Sequence, residues 1–345
     1  MVERANGIGN RPRNVTLRDV ALIAGVSVAT ASKALNGRGH VHPDTRRRVV
    51  EAAEKMSFTP NSLAQGLLAG QTSTVGLLTN DLVGRFSIPI LMGAEDASAM
   101  GKISVLLCDA REDPIREQYH LQALLGRRVD GLIVVGSSTD PRPSLGPDLP
   151  VPVVYAYAPS GDPRDLSLVP DNVGAGALAT KHLLATGRTR IAHITGELGF
   201  LAASDRAKGV EDTLAQAGLG LVGGEVLYGS WTEAWGRAAT HALLEQHSDV
   251  DAILCGSDQI ARGTLDALRE RGLAVPQAIS VMGFDNWEVL VTGSRPQLTS
   301  VDMDLESLGR KAAQELFAVI GGKERSGIER LPCRLVVRGS TVSEL

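Results

Sequence analysis

What this chain lacks narrows it first. Aromatic residues make up only 3% of its 345 residues, so each one set among polar residues carries information. Its three cysteines, Cys108, Cys255 and Cys333, stand far apart with no C-x-x-C, which argues against a disulfide framework and a cysteine zinc site. No apolar run reaches about 18 residues, and the first residues are basic and polar with no apolar signal core. The expectation is a cytoplasmic protein with no membrane segment. A G-x-S-x-G elbow, a Walker loop and a metal-spaced His/Cys cluster are also missing. His182, His193 and His241 occur singly and read as structural. No catalytic residue, metal or cofactor is expected.

What is present is unevenly distributed. The length suggests two or three domains, and 43% hydrophobic residues suffice for their cores. The net charge is −4, yet residues 1–60 hold ten basic side chains against five acidic. That leaves 25 basic and 34 acidic for residues 61–345, so a head of +5 precedes a body of −9. A basic head on an acidic body suits a polyanion-binding module with a separate control domain.

The head reads as helices. Residues 1–14 lack apolar periodicity and read as a mobile tail. Thr16 is an N-cap type, and Leu17, Val20, Ala21 and Ala24 recur at helical spacing up to Gly25. Ser27 can cap a second helix, Val28–Leu35, which stops at Asn36-Gly37. Two short helices joined by Ala24-Gly25-Val26-Ser27 form a helix-turn-helix pattern. Pro43 fits the first turn of a third helix carrying Val49, Ala52, Ala53 and Met56 on one face.

From Thr74 short apolar runs alternate with amphipathic stretches, the pattern of βαβ units around parallel sheets. Strands are expected at 75–79, 103–109, 131–136, 152–157 and 166–170, then at 191–195, 225–229, 251–256, 279–285 and 333–339. Helices are expected at 87–100, 114–127, 174–186, 204–217, 232–246, 259–271 and 305–320. One segment, Gly174-Ala175-Gly176-Ala177-Leu178-Ala179, formally matches the dinucleotide fingerprint G-x-G-x-x-A. No acid ends the following strand, where a ribose partner belongs, so small residues at a chain crossover are the better reading.

The segments VTLRDVALIAGVSVATASKALNG and VHPDTRRRVVEAAEKMSFTPNSLAQGLLAG closely resemble the DNA-binding head of the LacI/GalR family of bacterial transcriptional repressors, with matching spacing from Thr16 to Gly70. The resemblance continues through the body. It implies an all-α helix-turn-helix head on an α/β, two-lobed, periplasmic-binding-protein-like body with parallel sheets. Its boundaries would be a helix-turn-helix domain over 15–59, a hinge helix and linker over 60–73, and an effector-binding and dimerisation domain over 74–345. Lobe one would take about 74–171 and 301–331, lobe two about 172–300 and 332–345. DNA contacts would come from Thr16, Ser27, Val28, Ala29, Thr30, Ser32, Lys33 and Asn36. The hinge helix would add Asn61, Ala64 and Leu67, with Leu67 wedged into a central base step. Val28 and Ala29 depart from better-known members, which often carry a polar residue there; these two offer DNA only apolar contact, for example with a thymine methyl.

In the body, SDRAKG (204–209), GSDQIARG (256–263), GFDN (283–286) and GSWTEAWG (229–236) match family segments. The resemblance implies an effector pocket containing Arg206, Trp231, Asp258 and Asp285, with Phe86, Asp171 and Phe284 as further members. A guanidinium and carboxylates that converge suit a polyhydroxylated, sugar-like ligand. The expected partners are operator DNA, that effector and a second copy of the chain in a homodimer. With no leucine-heptad tail after the last strand, a tetramer built through such a tail is not expected. The alternative reading is a cytoplasmic sugar-binding or sugar-modifying protein whose head docks a partner. Replacing the wedge residue tests the head: Leu67→Ala is expected to weaken specific operator binding far more than non-specific binding. Equal loss on both in a binding titration would contradict the wedge role.

Overall fold

Thr16 and Asp19 start the first helix by satisfying each other. The Thr16 hydroxyl and backbone N–H donate to the Asp19 carboxylate at 2.7 and 2.9 Å, and Asp19 N–H donates back to Thr16 Oγ1 at 3.4 Å, a capping box. The computed structural model describes residues 15–35, 40–58, 72–81, 85–97 and 104–342. The expected tail 1–14, Asn36 and the hinge segment with Asn61, Ala64 and Leu67 lie outside the described residues. The chain divides into two compact units, Met1–Thr72 and Ser73–Leu345.

The first unit holds α1 (Leu17–Ala24), α2 (Val28–Leu35) and α3 (Pro43–Lys55). Gly25 ends α1 at φ 65°, a left-handed conformation that glycine adopts without a Cβ clash. Ser27 accepts the Thr30 N–H at 3.1 Å and so caps α2. Val20, Ala31 and Val49, one from each helix, are completely buried, with alanines filling the remaining contacts. Such small core residues let three short helices approach closely.

The second unit runs β1 (Thr74–Thr79), α4 (Ser87–Asp96), β2 (Ser104–Asp109), α5 (Pro114–Gly126), β3 (Gly131–Val135), β4 (Val153–Ala156) and β5 (Leu166–Pro170). It continues through α6 (Asn172–Ala185), β6 (Ile191–Thr195), α7 (Leu201–Gln216), β7 (Leu227–Tyr228), α8 (Glu233–Gln246), β8 (Ala252–Cys255), α9 (Asp258–Glu270) and β9 (Ser280–Phe284). It closes with α10 (Glu288–Gly293), β10 (Thr299–Asp302), α11 (Leu305–Ile320), β11 (Gly327–Leu331) and β12 (Arg334–Val336). Among the described residues two six-stranded sheets result, ordered β11-β5-β4-β3-β1-β2 and β12-β10-β9-β8-β6-β7. All neighbours are parallel except β12, which runs antiparallel to β10.

The chain passes between the sheets at Asp171, at Met303–Asp304 and at Pro332–Cys333. The second passage comes just after β10, which stays in register with β9 as far as Val301 opposite Phe284. Sequence periodicity missed β10 because its Thr299 and Ser300 are polar. Both are fully buried, with their hydroxyls bonded to the Arg338 carbonyl and Asp258. α7 begins at Leu201, ahead of the expected Ser204, which puts Arg206 in its second turn. Among the described residues no helix is long and apolar enough to cross a membrane.

Three helix pairs share one packing device. A Cβ added at Gly93 of α4 would meet the Glu306 carbonyl oxygen at 1.8 Å, and one at Gly309 of α11 the Ile90 carbonyl oxygen at 2.0 Å. Each glycine is thus the seat for the other helix's backbone. The same reciprocal contact joins α6 to α7 through Gly176 and Gly209, and α8 to α9 through Gly236 and Gly263. Gly309→Ala is therefore expected to cost about 1–3 kcal/mol by forcing the helices apart. The check is the midpoint of denaturant unfolding; a wild-type midpoint would contradict the seat.

Candidate functional site

In open α/β sheets ligands sit beyond the carboxyl ends of strands where the strand order reverses. Here β1 lies between β3 and β2, and β6 between β8 and β7, so each sheet has such a reversal point. The segments leaving these ends meet across the lobes. Arg85, which follows β1, donates from Nη2 to Asp285 Oδ2 at 2.7 Å and from Nη1 to Gln259 Oε1 at 3.3 Å. A second bridge runs from the Leu201 N–H to Asp140 Oδ1 at 2.7 Å.

Arg206 is the centre of lobe two's contribution. Its side chain is 4% exposed. Nε donates to Asn172 Oδ1 at 2.9 Å and Nη1 to the Gly256 carbonyl at 2.5 Å. The Phe284 ring lies 3.6 Å from its guanidinium carbon and the Trp231 ring 5.9 Å. Nη2 reaches only the Met303 sulfur, at 3.7 Å, and lies 3.7 Å from Asp285 Oδ1. Asp285 is also buried, and its Oδ1 has no hydrogen-bond partner. A weakly bonded donor and an acceptor without a hydrogen-bond partner therefore stand side by side. A hydroxyl placed against both could accept from one and donate to the other.

Asp258 is completely buried. It accepts the Ser300 hydroxyl at 2.6 Å and the Trp287 N–H at 2.7 Å. Burial, and next the Asp285 carboxylate, push its pKa above the ordinary carboxyl range; the two hydrogen bonds offset part of that rise. Asp258 thus braces the loop after β9 from within. Trp231 lies over Gly196, where a Cβ would strike the indole, and meets Phe200 edge to face at 6.0 Å. Phe86 stacks on Tyr157 at 4.6 Å.

Of the expected pocket residues, Arg206, Asp285, Phe284 and Trp231 gather together, with Asp258 behind them and Phe86 across the cleft. Asp171 serves the backbone instead, accepting the Gly174 N–H at 2.9 Å and capping α6. The fingerprint-like glycines are explained by packing. Gly174 leaves room for the Asp171 carboxylate, and Gly176 seats the Arg206 carbonyl.

Sequence reasoning missed Arg85, Asn172, Tyr157 and Trp287. Each lies outside the matched segments or beside a residue already chosen, as Arg85 beside Phe86. Backbone strain marks the same region. Tyr157 (φ 72°), Asp285 (φ 99°), Asn286 (φ 53°) and Asp304 (φ 50°) are left-handed without being glycine, a cost that tends to cluster at functional sites.

In the head, Val28, Ala29 and Lys33 are exposed, and Thr30 and Ser32 partly so. Val28 leaves 44% of its surface open, so it is not there to pack the three-helix core. Among the described residues, no group of three or more His, Cys, Asp or Glu is placed to hold a metal ion.

Residues 16–61 match the family model described as bacterial regulatory proteins, lacI family, and residues 180–341 match a periplasmic binding protein-like domain. Catabolite control protein A of Priestia megaterium is 34% identical over 332 residues, covering 95% of this chain and 99% of that protein. The crystal structure of the lac repressor dimer bound to operator and an anti-inducer matches with a TM-score of 0.74 at 28% identity, covering 96% of this chain and 100% of that one. A complex of the transcriptional regulator CelR with cellobiose matches with a TM-score of 0.62 at 30% identity, covering 94% of this chain and 99% of that one.

His193 lies near the Arg206 charge in the core of lobe two. Its Nδ1 shares a hydrogen bond with the Leu254 carbonyl at 2.9 Å, and its Nε2 is buried without a partner. Burial, aided by the Arg206 charge, depresses its pKa from 6.5 to about 4. Between those values the unfolded chain takes up a proton that the folded one refuses. His193 therefore costs stability as pH falls through that window, by at most about 3 kcal/mol. Thermal melts from pH 7 to pH 4.5 are expected to fall less steeply for His193→Gln than for the wild type; parallel slopes would refute this.

Proposed function

The chain belongs to the LacI family of bacterial regulatory proteins, and we propose that it is a transcriptional repressor that releases or grips its operator in response to a small polyhydroxylated effector. It is a regulator and not an enzyme. A homodimer places two basic heads on a pseudopalindromic operator, each putting the start of α2 into the major groove. Acting on chromosomal DNA, it works in the cytoplasm.

The observation that carries the effector reading is a buried acceptor without a hydrogen-bond partner, Asp285 Oδ1, 3.7 Å from a buried donor, Arg206 Nη2, whose hydrogen bond goes to the weak acceptor Met303 Sδ. Buried polar atoms are costly without partners. A ligand hydroxyl satisfies both at once, whereas a methyl satisfies neither. Trp231 and Phe284 supply apolar surface beside them, and Phe86 faces them from lobe one. Effector binding changes how tightly the lobes close, and the grip on the operator changes with it.

Base reading falls on few groups. Val28 and Ala29 offer apolar surface, Lys33 a cation, and Thr30 and Ser32 hydroxyls. Specificity then leans on thymine methyls and on how readily the site bends. The alternative of a sugar-binding or sugar-modifying protein with a docking head has no observation in its favour.

A mobility-shift assay on the promoter of the chain's own gene tests the first part. The expected result is sequence-preferring binding that weakens steeply with salt; salt-insensitive or unselective binding would sink the repressor reading. Arg206→Ala is expected to abolish the effector response while operator affinity persists. Unchanged ligand affinity by calorimetry would remove Arg206 from the pocket.

A further inference from the structure

Lobe one reaches into lobe two's half of the site with one side chain. Arg85, which follows β1, has a side chain only 17% exposed. Its Nη2 donates to Asp285 Oδ2 at 2.7 Å and its Nη1 to Gln259 Oε1 at 3.3 Å. The rings of Phe86 and Trp287 lie 5.1 and 5.0 Å from its guanidinium carbon, within reach of a cation–π attraction. Trp287 is itself anchored, its backbone N–H donating to buried Asp258 at 2.7 Å.

The Arg85–Asp285 pair has an open side and a buried side. On the open side both residues line a cavity of about 460 Å³. Its walls hold more carboxylates than guanidinium groups, with Glu288, Asp302, Asp304 and Glu306 besides Asp285. A cleft of one sign concentrates the opposite charge, so this lining favours the guanidinium where Arg85 holds it. On the buried side Asp285 Oδ1 and Arg206 Nη2 are 3.7 Å apart, on side chains 3% and 4% exposed. A ligand hydroxyl reaches those two atoms only after the cover over them moves. Arg85 Nε is buried without a hydrogen-bond partner, so the Arg85 contact is incomplete and able to give way.

We infer that Arg85 is a strap that shuts the cleft from within: it ties lobe one to lobe two through Asp285, and the effector enters only when that tie breaks. The inference rests on the effector reading of the Arg206–Asp285 pair. A site that binds only in its open form loses affinity in proportion to the fraction open. The strap therefore sets the effector threshold, and removing it tightens binding. Removing an ordinary ligand contact does the opposite. The fold also supplies a reporter of closure. Leu201 is the first residue of α7, so its N–H has no partner within the helix. Asp140 Oδ1 of lobe one accepts it at 2.7 Å, a bond that requires the lobes to be together.

The test uses the full chain and two measurements. One is hydrogen exchange at the Leu201 amide, read by mass spectrometry without added sugar. The other is calorimetry with glucose, galactose, ribose and cellobiose as probes. Arg85→Ala is expected to speed exchange at Leu201 about tenfold or more and to bind a probe about tenfold more tightly than the wild type. Gln259→Ala removes only the second anchor and should move both readouts the same way by about two- to threefold; it decides the matter if Arg85→Ala does not fold. Unchanged exchange at Leu201, or equal or weaker binding of a probe that the wild type binds, overturns the strap and leaves the polyol reading standing. If no probe binds to any of the three proteins, the polyol reading falls, and exchange at Leu201 alone decides the strap, faster exchange supporting it and unchanged exchange overturning it.

Discussion

One carboxylate sits between two guanidinium groups, and the cleft is built around that arrangement. Asp285 belongs to lobe two, and it meets Arg85 of lobe one and Arg206 of its own lobe. Taking such charges out of water is expensive, and their attraction offsets the cost only when geometry and hydrogen bonding are good. Here the offset is incomplete. Oδ2 is well bonded to Arg85, while Oδ1 faces Arg206 at 3.7 Å without a hydrogen bond. An ion pair that crosses between lobes and keeps one valence open is suited to coupling ligand binding to lobe closure.

Everything nearby holds that arrangement in place. Phe284 and Asn172 fix the Arg206 guanidinium. Asp258 pins the strained loop after β9 from below through Trp287 and receives Ser300 from β10. The helices behind meet at paired glycines, where one backbone rests directly on the next. Such contacts deform little, because close-packed interiors have no slack to absorb a shift. Each lobe is therefore stiff within itself.

The head is built on a different plan. Its core is three small-residue helix faces, and its caps are local: Thr16 with Asp19, Ser27 with Thr30, His42 with Asp44. The start of α2 is left apolar and exposed at Val28. The positive charge of the head favours DNA without carrying sequence information.

Most of the fold was legible in the sequence, because it depends on local patterns. Apolar runs of five residues announced the central strands, and Thr16, Gly25 and Pro43 marked helix ends by chemistry that acts within a turn. The strands that were missed, β10 and β11, are polar or alternating, and they are stable only through partners far along the chain. The site divides in the same way. Arg206, Trp231, Asp258 and Asp285 could be chosen from short matched segments, and Asp171 was chosen with them although its carboxylate caps a helix. Arg85, Asn172, Tyr157 and Trp287 carry no local signal, since what makes them notable is who stands opposite. The sequence alone determined that a basic helical head precedes a two-lobed α/β body. Only the tertiary structure decided that Arg85 and Arg206 share one carboxylate, because that meeting joins residues 200 positions apart through two separate sheets.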